Sequence, residues 1–408
     1  VKGSRSWFAF GPVRFQPAEI SKITTSLLLA FIMSRPGFKL TRFSNFLTVA
    51  AVIALPMLVI LGESETGSAL VYVGFIFVLY REGLSGWLIT LIGVAILVFI
   101  LTLTTSPYTA ILWLLGIIAA GNALNHRNSL QWLLCAAAVI ILLAYIPQLW
   151  TLLQNALIPG LSEAAANAEA GEEAVNEAMA IAADASAWGF LYAVKPLYIL
   201  LGLIGLAVPA VIFFALKYRD SFAGVSTLTM IAGIMMVFSV DFIFYNILQD
   251  HQRKRIEVLL GMKEDPSGVG YNVNQSMIAI GSGGLTGKGY LNGTQTTYGF
   301  VPEQSTDFIF CTVGEEWGFL GCFAVIALYV GLIWLITKDA EHSRESFTRI
   351  YGYCLASCLF MHLLINIGMT IGIMPVIGIP LPFMSYGGSS LWAFTIMLSI
   401  FIALDHRE

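Results

Sequence analysis

Long runs of apolar residues, separated by short polar stretches, dominate this sequence. The runs are roughly 15 to 25 residues long, the length that an α-helix needs to cross the hydrocarbon layer of a membrane. The period-two alternation of apolar and polar residues that is typical of an outer-membrane barrel is absent. The pattern therefore predicts an all-α, polytopic transmembrane helical bundle. It has about eleven crossings, at residues 19–33, 44–61, 67–80, 86–103, 107–121, 129–150, 188–216, 223–247, 308–337, 349–373 and 389–404.

Basic residues fall in every second loop, and this sets the predicted orientation of the chain. Cytoplasmic loops of membrane proteins carry an excess of Lys and Arg. In this register the C-terminus lies inside the cell, residue 1 lies outside, and the longest loop, 248–307, is extracytoplasmic. The residues that define the inner loops are Arg35, Lys39, Arg42, Arg81, Arg127, Lys217, Arg219, Lys338, Arg344 and Arg349.

Composition supports an integral membrane protein. The chain is 57% hydrophobic and only 11% charged, whereas soluble domains are about one quarter charged. The five cysteines lie in or beside the apolar runs, where cysteine usually acts as a small buried hydrophobe. The sequence therefore predicts neither a disulfide framework nor a metal site.

Most of the predicted extracytoplasmic loop, residues 261–307, is rich in Gly, Ser, Thr and Asn. A loop of this length in a compact bundle is usually functional. Its stretch "GSGGLTGKG" is similar to a phosphate-binding loop, but Ser282 replaces the first Gly and Gly289 replaces the Ser or Thr that would hold magnesium. Lys288 remains a candidate to contact a phosphate as a point charge.

Asp307 precedes the apolar run that begins near residue 308, and two interpretations stay open. In the first, Ser305, Thr306 or Asp307 caps the N-terminus of the following helix. In the second, Asp307 is a general base at the outer membrane surface, close to cationic groups that receive an anionic substrate. Composition alone favours the first interpretation.

Four further polar residues are predicted inside or beside membrane spans. Glu315 and Glu316 either pair with a basic or hydroxyl partner or line a polar cavity, and the flanking Gly314 allows another helix to approach. Gly318 is predicted to do the same. Two residues of the penultimate span complete the set: His362 is interpreted as a satisfied core residue, and Asn366 as hydrogen-bonded to a neighbouring helix.

Charge and backbone irregularity mark three other features. Glu19 and Lys22 lie three residues apart on one helical face, which favours an intrahelical ion pair. The basic cluster Arg253–Arg255 lies on the outer side, where basic residues are disfavoured, and indicates either an anionic ligand or lipid headgroups. The Pro- and Gly-rich stretch 372–390 predicts an irregular segment, which exists at membrane depth only when it is buried in protein or lines a cavity.

Several of these stretches together resemble one known family. "RFQPAEISK", "DHQRKRI", "DPSGVGYNVNQSMIAIGSGGLTGKGYLNGTQ", "FVPEQSTDFIF" with "GEEWGF", and "IPLPFMSYGGSS" occur in the order found in the SEDS family of shape, elongation, division and sporulation proteins. "GKGYLNGTQ" and "FVPEQ" are more similar to the rod-shape branch, RodA, than to the division branch, FtsW. The resemblance implies an inverting peptidoglycan glycosyltransferase that uses lipid II as its donor and releases undecaprenyl pyrophosphate.

The resemblance also implies roles for individual residues. Asp307 stands at the acid of the family's "TDF" motif, which is proposed to deprotonate the acceptor sugar hydroxyl. Cationic groups would stabilise the leaving pyrophosphate, and a divalent cation, Mg²⁺ or Mn²⁺, is an optional aid; no other cofactor is expected. The residues expected to bind substrate are Arg253, Arg255, Lys288, Glu19, Lys22, Gln295, Glu303 and Ser385.

The chain departs from the family pattern in three places. Ser305 stands where the family usually has His before "TDF". The stretch 86–222 has four more crossings than expected, with an acidic outer loop at 160–187, inside a single membrane domain of residues 1–408. The family's first three helices are absent ahead of residue 1, so we expect the natural N-terminus to lie further upstream.

The resemblance implies partners and a location as well. The expected partners are lipid II, undecaprenyl pyrophosphate, a class B penicillin-binding transpeptidase, other proteins of the elongation complex and membrane lipids, and no nucleic acid. The expected location is the bacterial cytoplasmic membrane. The alternative function is a lipid II flippase or another transporter of lipid-linked precursors, which needs a polar path across the membrane rather than a base at one face.

Overall fold

The computed structural model is an all-α bundle with one short β-hairpin, and it describes most of the chain. The described residues are 8–10, 13–63, 65–84, 86–124, 129–158, 191–192, 194–218, 221–248, 250–260 and 270–407. The chain folds into two compact units: unit 1 comprises Val1–Leu91 and Gln249–Glu408, and unit 2 comprises Ile92–Leu248.

Unit 1 begins with the hairpin and ends with three long helices. Strands β1 and β2 pair antiparallel, with Phe8 opposite Phe15. The elements up to the boundary are β1 (Phe8–Phe10), β2 (Val13–Phe15), α1 (Pro17–Met33), α2 (Phe43–Gly62), α3 (Thr66–Val73), α4 (Phe75–Arg81) and the start of α5 (Gly86–Thr104).

Unit 2 contains the remaining turns of α5 and the apolar helices that follow it. The helices are α6 (Pro107–Leu124), α7 (Ser129–Ala144), α8 (Ile146–Leu157), α9 (Pro196–Tyr218) and α10 (Ser221–Phe242), which continues as a π-helix over Ile243–Ile247. The core of this unit lies where α6 packs against α7 and α10, with Ile111, Leu200 and Val237 fully buried.

The rest of unit 1 carries the loop that is predicted to be extracytoplasmic and the helices after it. The predicted loop 248–307 is not structureless, because it contains three helices among its described residues. The elements are α11 (Asp250–Leu259), α12 (Tyr271–Gly283), α13 (Thr294–Thr297), α14 (Ile309–His342), α15 (Ser346–Thr370) and α16 (Gly388–Asp405).

Helix α15 is the centre of unit 1. It packs against α1, α4, α14 and α16, and most of its side chains are buried. Glycines permit two of these approaches: a Cβ at Gly74 would lie 2.4 Å from Met361, and a Cβ at Gly352 would lie 2.6 Å from Phe401. Close backbone approach at glycine is a common way for membrane helices to pack. The helix that carries His362 and Asn366 is thus enclosed by protein.

The predicted fold class is confirmed, with corrections to individual spans. Six helices among the described residues are long and apolar enough to cross a membrane, and four shorter apolar helices accompany them. The predicted span 67–80 covers α3 and α4, which meet at Gly74, and the predicted span 129–150 covers α7 and α8, which meet at Tyr145 and end at Leu157. The backbone angles of Gly74 and Tyr145 are helical, so each pair counts as one apolar helix. The number of crossings stays a prediction.

Two other predictions concern residues at the edge of what the structure describes. The predicted span 188–216 is helical from Pro196 onward, and residues 188–190 and 193 lie outside the described part. The acidic loop 160–187 lies entirely outside it. The prediction of an inserted module at 86–222 stays a prediction.

Candidate active site

Asp307 lies in the tight turn that leads into α14. The backbone carbonyl of Glu303 accepts hydrogen bonds from the N–H groups of Thr306, Asp307 and Phe308, at 3.3, 3.1 and 3.2 Å. Glu303 itself has a positive φ of 53°, a conformation that is uncommon for a residue with a Cβ. The N-cap position of α14 is Phe308, so none of the three residues predicted as its cap occupies that position. Asp307 is half-buried and lies in the turn, one residue before the N-cap Phe308.

Two neighbours hold Asp307 in place. The side-chain amide of Asn366 donates to the carbonyl of Asp307 at 2.9 Å and to the carbonyl of Ile379 at 2.7 Å. The carboxylate of Asp307 lies against Gly378, since a Cβ at that glycine would be 3.1 Å from Oδ2. Gly378 is exposed and has a φ of +75°. One wall of the site is therefore bare backbone, which leaves space next to the carboxylate.

That wall belongs to an irregular segment, residues 371–387, between α15 and α16, as the sequence predicts. Internal hydrogen bonds fix its shape: the N–H of Leu381 donates to Oγ of Ser385 at 2.7 Å. The N–H of Tyr386 donates to the carbonyl of Ser305 at 2.8 Å, which ties the segment to the turn that carries Asp307. Ser385 thus lies in a turn that shapes the site, and its role in substrate binding stays a prediction.

Arg255 reaches the same segment from α11. Its guanidinium donates to the carbonyl of Val376 at 2.9 Å, two residues before Gly378. Arg253, in contrast, is held by acids of its own helix: its Nη2 donates to Asp250 at 3.2 Å, and its Nε lies 3.6 Å from a carboxylate oxygen of Glu257. Of the two arginines predicted to bind substrate, Arg255 is the one that contacts the segment next to Asp307.

Glu19 and Lys22 form the predicted intrahelical ion pair on α1. Nζ of Lys22 lies 2.8 Å from Oε1 of Glu19, and Lys22 and Glu19 are only 1% and 2% exposed. Nζ also contacts Nε2 of His362 at 2.9 Å, while Nδ1 of His362 contacts the carbonyl of Pro380 at 2.9 Å. The prediction that His362 is a satisfied core residue is confirmed, and its partners connect the ion pair to the irregular segment.

Glu315 is the most densely bonded acid of the site region. One carboxylate oxygen accepts from Nζ of Lys288 at 2.8 Å and from the backbone N–H of Gln295 at 2.9 Å. The other accepts from both the N–H and the hydroxyl of Thr296 at 2.9 Å. Of the two interpretations of this glutamate, pairing with a basic and a hydroxyl partner is the one that the structure confirms.

The contact between Glu315 and Lys288 changes the expectations for the loop residues. Lys288 is 28% exposed, and its ammonium is anchored to a buried carboxylate rather than extended into solvent. Oε1 of Gln295 is buried and has no hydrogen-bond partner among the described residues. Lys288, Gln295 and Glu303 stay predicted substrate contacts. Glu316 is 8% exposed; its backbone carbonyl accepts from the N–H of Gly289 at 3.0 Å, but its carboxylate makes no hydrogen bond or ion pair within the described part of the chain.

The glycines around this loop allow backbone contact with α14. A Cβ at Gly283 would lie 1.9 Å from the carbonyl of Gly314, so the predicted close approach at Gly314 is confirmed. Gly318 interrupts the helix with a φ of 64°. The N–H groups of Phe319 and Leu320 then donate to the carbonyls of Gly284 and Leu285 at 2.9 and 3.1 Å. At Gly318 the neighbour is therefore a loop and not a helix.

Sequence reasoning gave His362 and Asn366 no part in the site, although a signal for both was present. Both are polar, they lie four residues apart on one face of an otherwise apolar span, and polar side chains at membrane depth are commonly functional.

Among the described residues, no group of three or more His, Cys, Asp or Glu side chains is arranged to hold a metal ion. The optional divalent cation stays a prediction.

Comparison with known proteins gives one family. A model of the FtsW, RodA and SpoVE cell cycle proteins matches residues 1–115 and 192–408. Residues 116–191, which it leaves unmatched, lie within the predicted insertion.

Individual relatives of the chain have names of the same family. Peptidoglycan glycosyltransferase MrdB of Escherichia coli K12 is 44% identical over 161 residues, which are 40% of this chain and 44% of the relative. Peptidoglycan glycosyltransferase RodA of Treponema pallidum is 28% identical over 413 positions, covering all of this chain and 78% of the relative. The chain thus aligns with less than half of the length of the Escherichia coli relative.

One solved structure also resembles the whole chain. It is described as "Structural coordination of polymerization and crosslinking by a peptidoglycan synthase complex", and the similarity covers all of this chain and 74% of that chain. The TM-score is 0.52 at 19% sequence identity. This likeness concerns the fold alone.

Proposed function

The chain belongs to the FtsW, RodA and SpoVE family, and on that premise we propose that it is a peptidoglycan glycosyltransferase. It polymerises lipid II into glycan strands during cell elongation. The reaction takes place at the outer face of the bacterial cytoplasmic membrane. Relatives named as peptidoglycan glycosyltransferases support this proposal.

The observation that carries the proposal is the setting of Asp307. Its carboxylate is half-buried, lies beside the bare backbone of Gly378, and is anchored through its own carbonyl by Asn366. A general base must be held rigidly and must still be reachable by the proton that it accepts. A helix cap would satisfy the first requirement without the second.

In the proposed reaction Asp307 accepts the proton of the acceptor sugar hydroxyl. The hydroxyl oxygen attacks the anomeric carbon of the donor and forms the new glycosidic bond. The bond between that carbon and the pyrophosphate oxygen breaks, and the pyrophosphate keeps the electron pair. Attack from the face opposite the leaving group inverts the anomeric centre. A positioned base typically accelerates such a step about 10²- to 10⁴-fold.

The leaving pyrophosphate needs positive charge close to the site of bond breaking. Arg255 is placed for this role, because it contacts Val376 on the segment that borders Asp307. Arg253 is paired with Asp250, and Lys288 is paired with Glu315. We assign them to binding the donor headgroup, with polar contacts from three further residues: Gln295, Glu303 and Ser385.

A partner is part of the proposal. A solved peptidoglycan synthase complex resembles this chain, and its description joins polymerization with crosslinking. We therefore propose a class B penicillin-binding transpeptidase as the partner, which crosslinks the strands that this chain makes. Other elongation-complex proteins and membrane lipids complete its surroundings.

Polymerisation of purified lipid II tests the function directly. The complete protein, reconstituted with its cognate transpeptidase, is expected to form glycan strands, and Asp307→Asn is expected to reduce the rate at least about 100-fold. The matched control is Asp339→Asn, which alters an exposed acid on the same helix, α14, and is expected to retain the wild-type rate.

Two results would contradict the proposal. Full activity of Asp307→Asn would remove the catalytic assignment. Wild-type protein that moves lipid II across a vesicle membrane without making polymer would support the alternative, a flippase or transporter of lipid-linked precursors.

A further inference from the structure

Buried hydrogen bonds connect an ion pair on α1 to the segment that borders Asp307. We propose that His362 is a positioning residue that couples the Glu19–Lys22 pair to this segment and thereby fixes the surroundings of Asp307. The inference rests on the proposed function, because it assigns a role within that site.

The tautomer of His362 follows from its two partners. The carbonyl of Pro380 can only accept, so Nδ1 of His362 carries the proton and donates to it at 2.9 Å. Nε2 is then an acceptor, which suits the ammonium of Lys22 at 2.9 Å. The imidazole is 1% exposed and lies edge-on to Phe394, with ring centroids 4.8 Å apart. Both nitrogens have partners, and the packed ring has one orientation.

Lys22 requires this arrangement because its ammonium is fully buried. Glu19 supplies one acceptor at 2.8 Å, His362 supplies a second, and the ring of Phe394 lies 5.2 Å from Nζ. Burying a charge is costly unless it is paired and hydrogen-bonded. Replacement of His362 by an apolar residue removes one acceptor from the ammonium and the donor from the carbonyl of Pro380.

The connection continues from Pro380 to Asp307 through adjacent backbone groups. Asn366, one turn after His362 on α15, donates to the carbonyl of Ile379 and to that of Asp307. Gly378, the next residue back along the segment, lies against the carboxylate of Asp307. Two side chains on one face of α15 therefore hold consecutive carbonyls of the segment. A shift of this segment moves the wall beside the base.

The test uses three variants of the complete protein. His362→Leu removes both hydrogen bonds. His362→Asn keeps an amide donor near the position of Nδ1 and loses the contact with Lys22. Thr348→Val is the matched control, since this buried hydroxyl on the same helix has no hydrogen-bond partner among the described residues. Turnover per folded molecule, KM for lipid II and hydrogen exchange of the peptide covering 371–387 are measured for each.

We expect His362→Leu to lower kcat about tenfold or more, with KM changed less than about threefold, because a displaced base slows chemistry more than binding. Exchange of the 371–387 peptide is expected to accelerate. His362→Asn is expected to restore the exchange protection in large part and kcat in part, and Thr348→Val to match wild type in every measurement. A role confined to stability would lower the yield of folded protein and leave kcat per folded molecule unchanged.

The inference is overturned if His362→Leu leaves both kcat and the exchange of the segment within about twofold of wild type. It is also overturned if His362→Asn and His362→Leu behave identically. The exchange measurement needs no lipid II. If wild-type protein does not polymerise lipid II, the proposed function fails, while exchange still decides whether His362 holds the segment.

Discussion

The side-chain amide of Asn366 joins the backbone of Asp307 to the backbone of Ile379. One amide nitrogen donates to both carbonyls, at 2.9 and 2.7 Å, and the residue is completely buried. The two carbonyls belong to different parts of the chain, the turn before α14 and the irregular segment after α15. Asn366 therefore fixes the distance between Asp307, the proposed base, and the segment beside it.

Asn366→Ala is predicted to impair both stability and turnover. Each buried carbonyl that loses its donor costs about 1–3 kcal/mol, and the turn that carries Asp307 loses its link to the segment. We expect a lower thermal midpoint and a reduced kcat for lipid II polymerisation. Ser390→Ala is the control, because its buried hydroxyl has no partner among the described residues. Equal thermal midpoints for the two variants would contradict the role of Asn366.

Glu315→Gln is predicted to loosen the loop that contains Gln295 and Thr296. A neutral amide offers one acceptor atom where the carboxylate uses two, and it leaves the ammonium of Lys288 without its counter-charge. The expected loss is about 1–3 kcal/mol, with faster hydrogen exchange in the peptide that covers 288–297. Thermal unfolding and exchange measure the two effects.

The neighbouring Glu316 provides the control for that experiment. It is almost as buried as Glu315, but its carboxylate makes no hydrogen bond or ion pair within the described residues. We therefore expect Glu316→Gln to leave the exchange of 288–297 unchanged. If both substitutions accelerate exchange equally, the hydrogen bonds of Glu315 do not anchor the loop.

Gly318→Ala is predicted to displace the loop 284–289 from α14. The φ of 64° and ψ of −159° at Gly318 are essentially confined to glycine and cost another residue about 1–3 kcal/mol, and a Cβ would lie 2.4 Å from the backbone nitrogen of Gly287. We expect a lower thermal midpoint and faster exchange of the loop. Gly331→Ala, in the same helix with nothing within 4 Å of its Cβ, is expected to be neutral or stabilising by up to about 1 kcal/mol. A neutral Gly318→Ala would contradict this account of the helix interruption.

The fold follows from the sequence as far as the lengths of apolar runs determine it. These runs locate the long helices, but they continue without change through Gly74 and Tyr145, where α3 meets α4 and α7 meets α8. Such a junction depends on what packs nearby: at Gly74 the neighbours are Met361 and Ser357, far along the chain. Apolar periodicity carries no information about these neighbours.

The candidate site, like the fold, is only partly predictable from local sequence. Local motifs mark Asp307, Arg255 and the pair Glu19–Lys22. In the structure Asp307 and Arg255 contact the segment 371–387 directly, and Lys22 reaches it through His362. The partner of Lys22, His362, is 340 residues away in sequence, and no local pattern connects the two. The orientation of polar groups within a site depends on such long-range interactions, whereas their presence is visible in short stretches.

Arg255→Ala is predicted to weaken lipid II binding more than Arg253→Ala. Arg255 contacts the carbonyl of Val376 beside the site, whereas Arg253 is already engaged by Asp250 and lies 3.6 Å from Glu257. Loss of a charge-assisted contact to the donor pyrophosphate costs about 1.5–3 kcal/mol, which corresponds to roughly ten- to a hundredfold in Kd. Arg255→Lys is expected to recover part of the affinity, since it keeps the charge but loses the planar guanidinium. Titration of lipid II against each variant measures the order, and a larger effect at Arg253 would place the pyrophosphate next to Arg253 rather than beside the segment that borders Asp307.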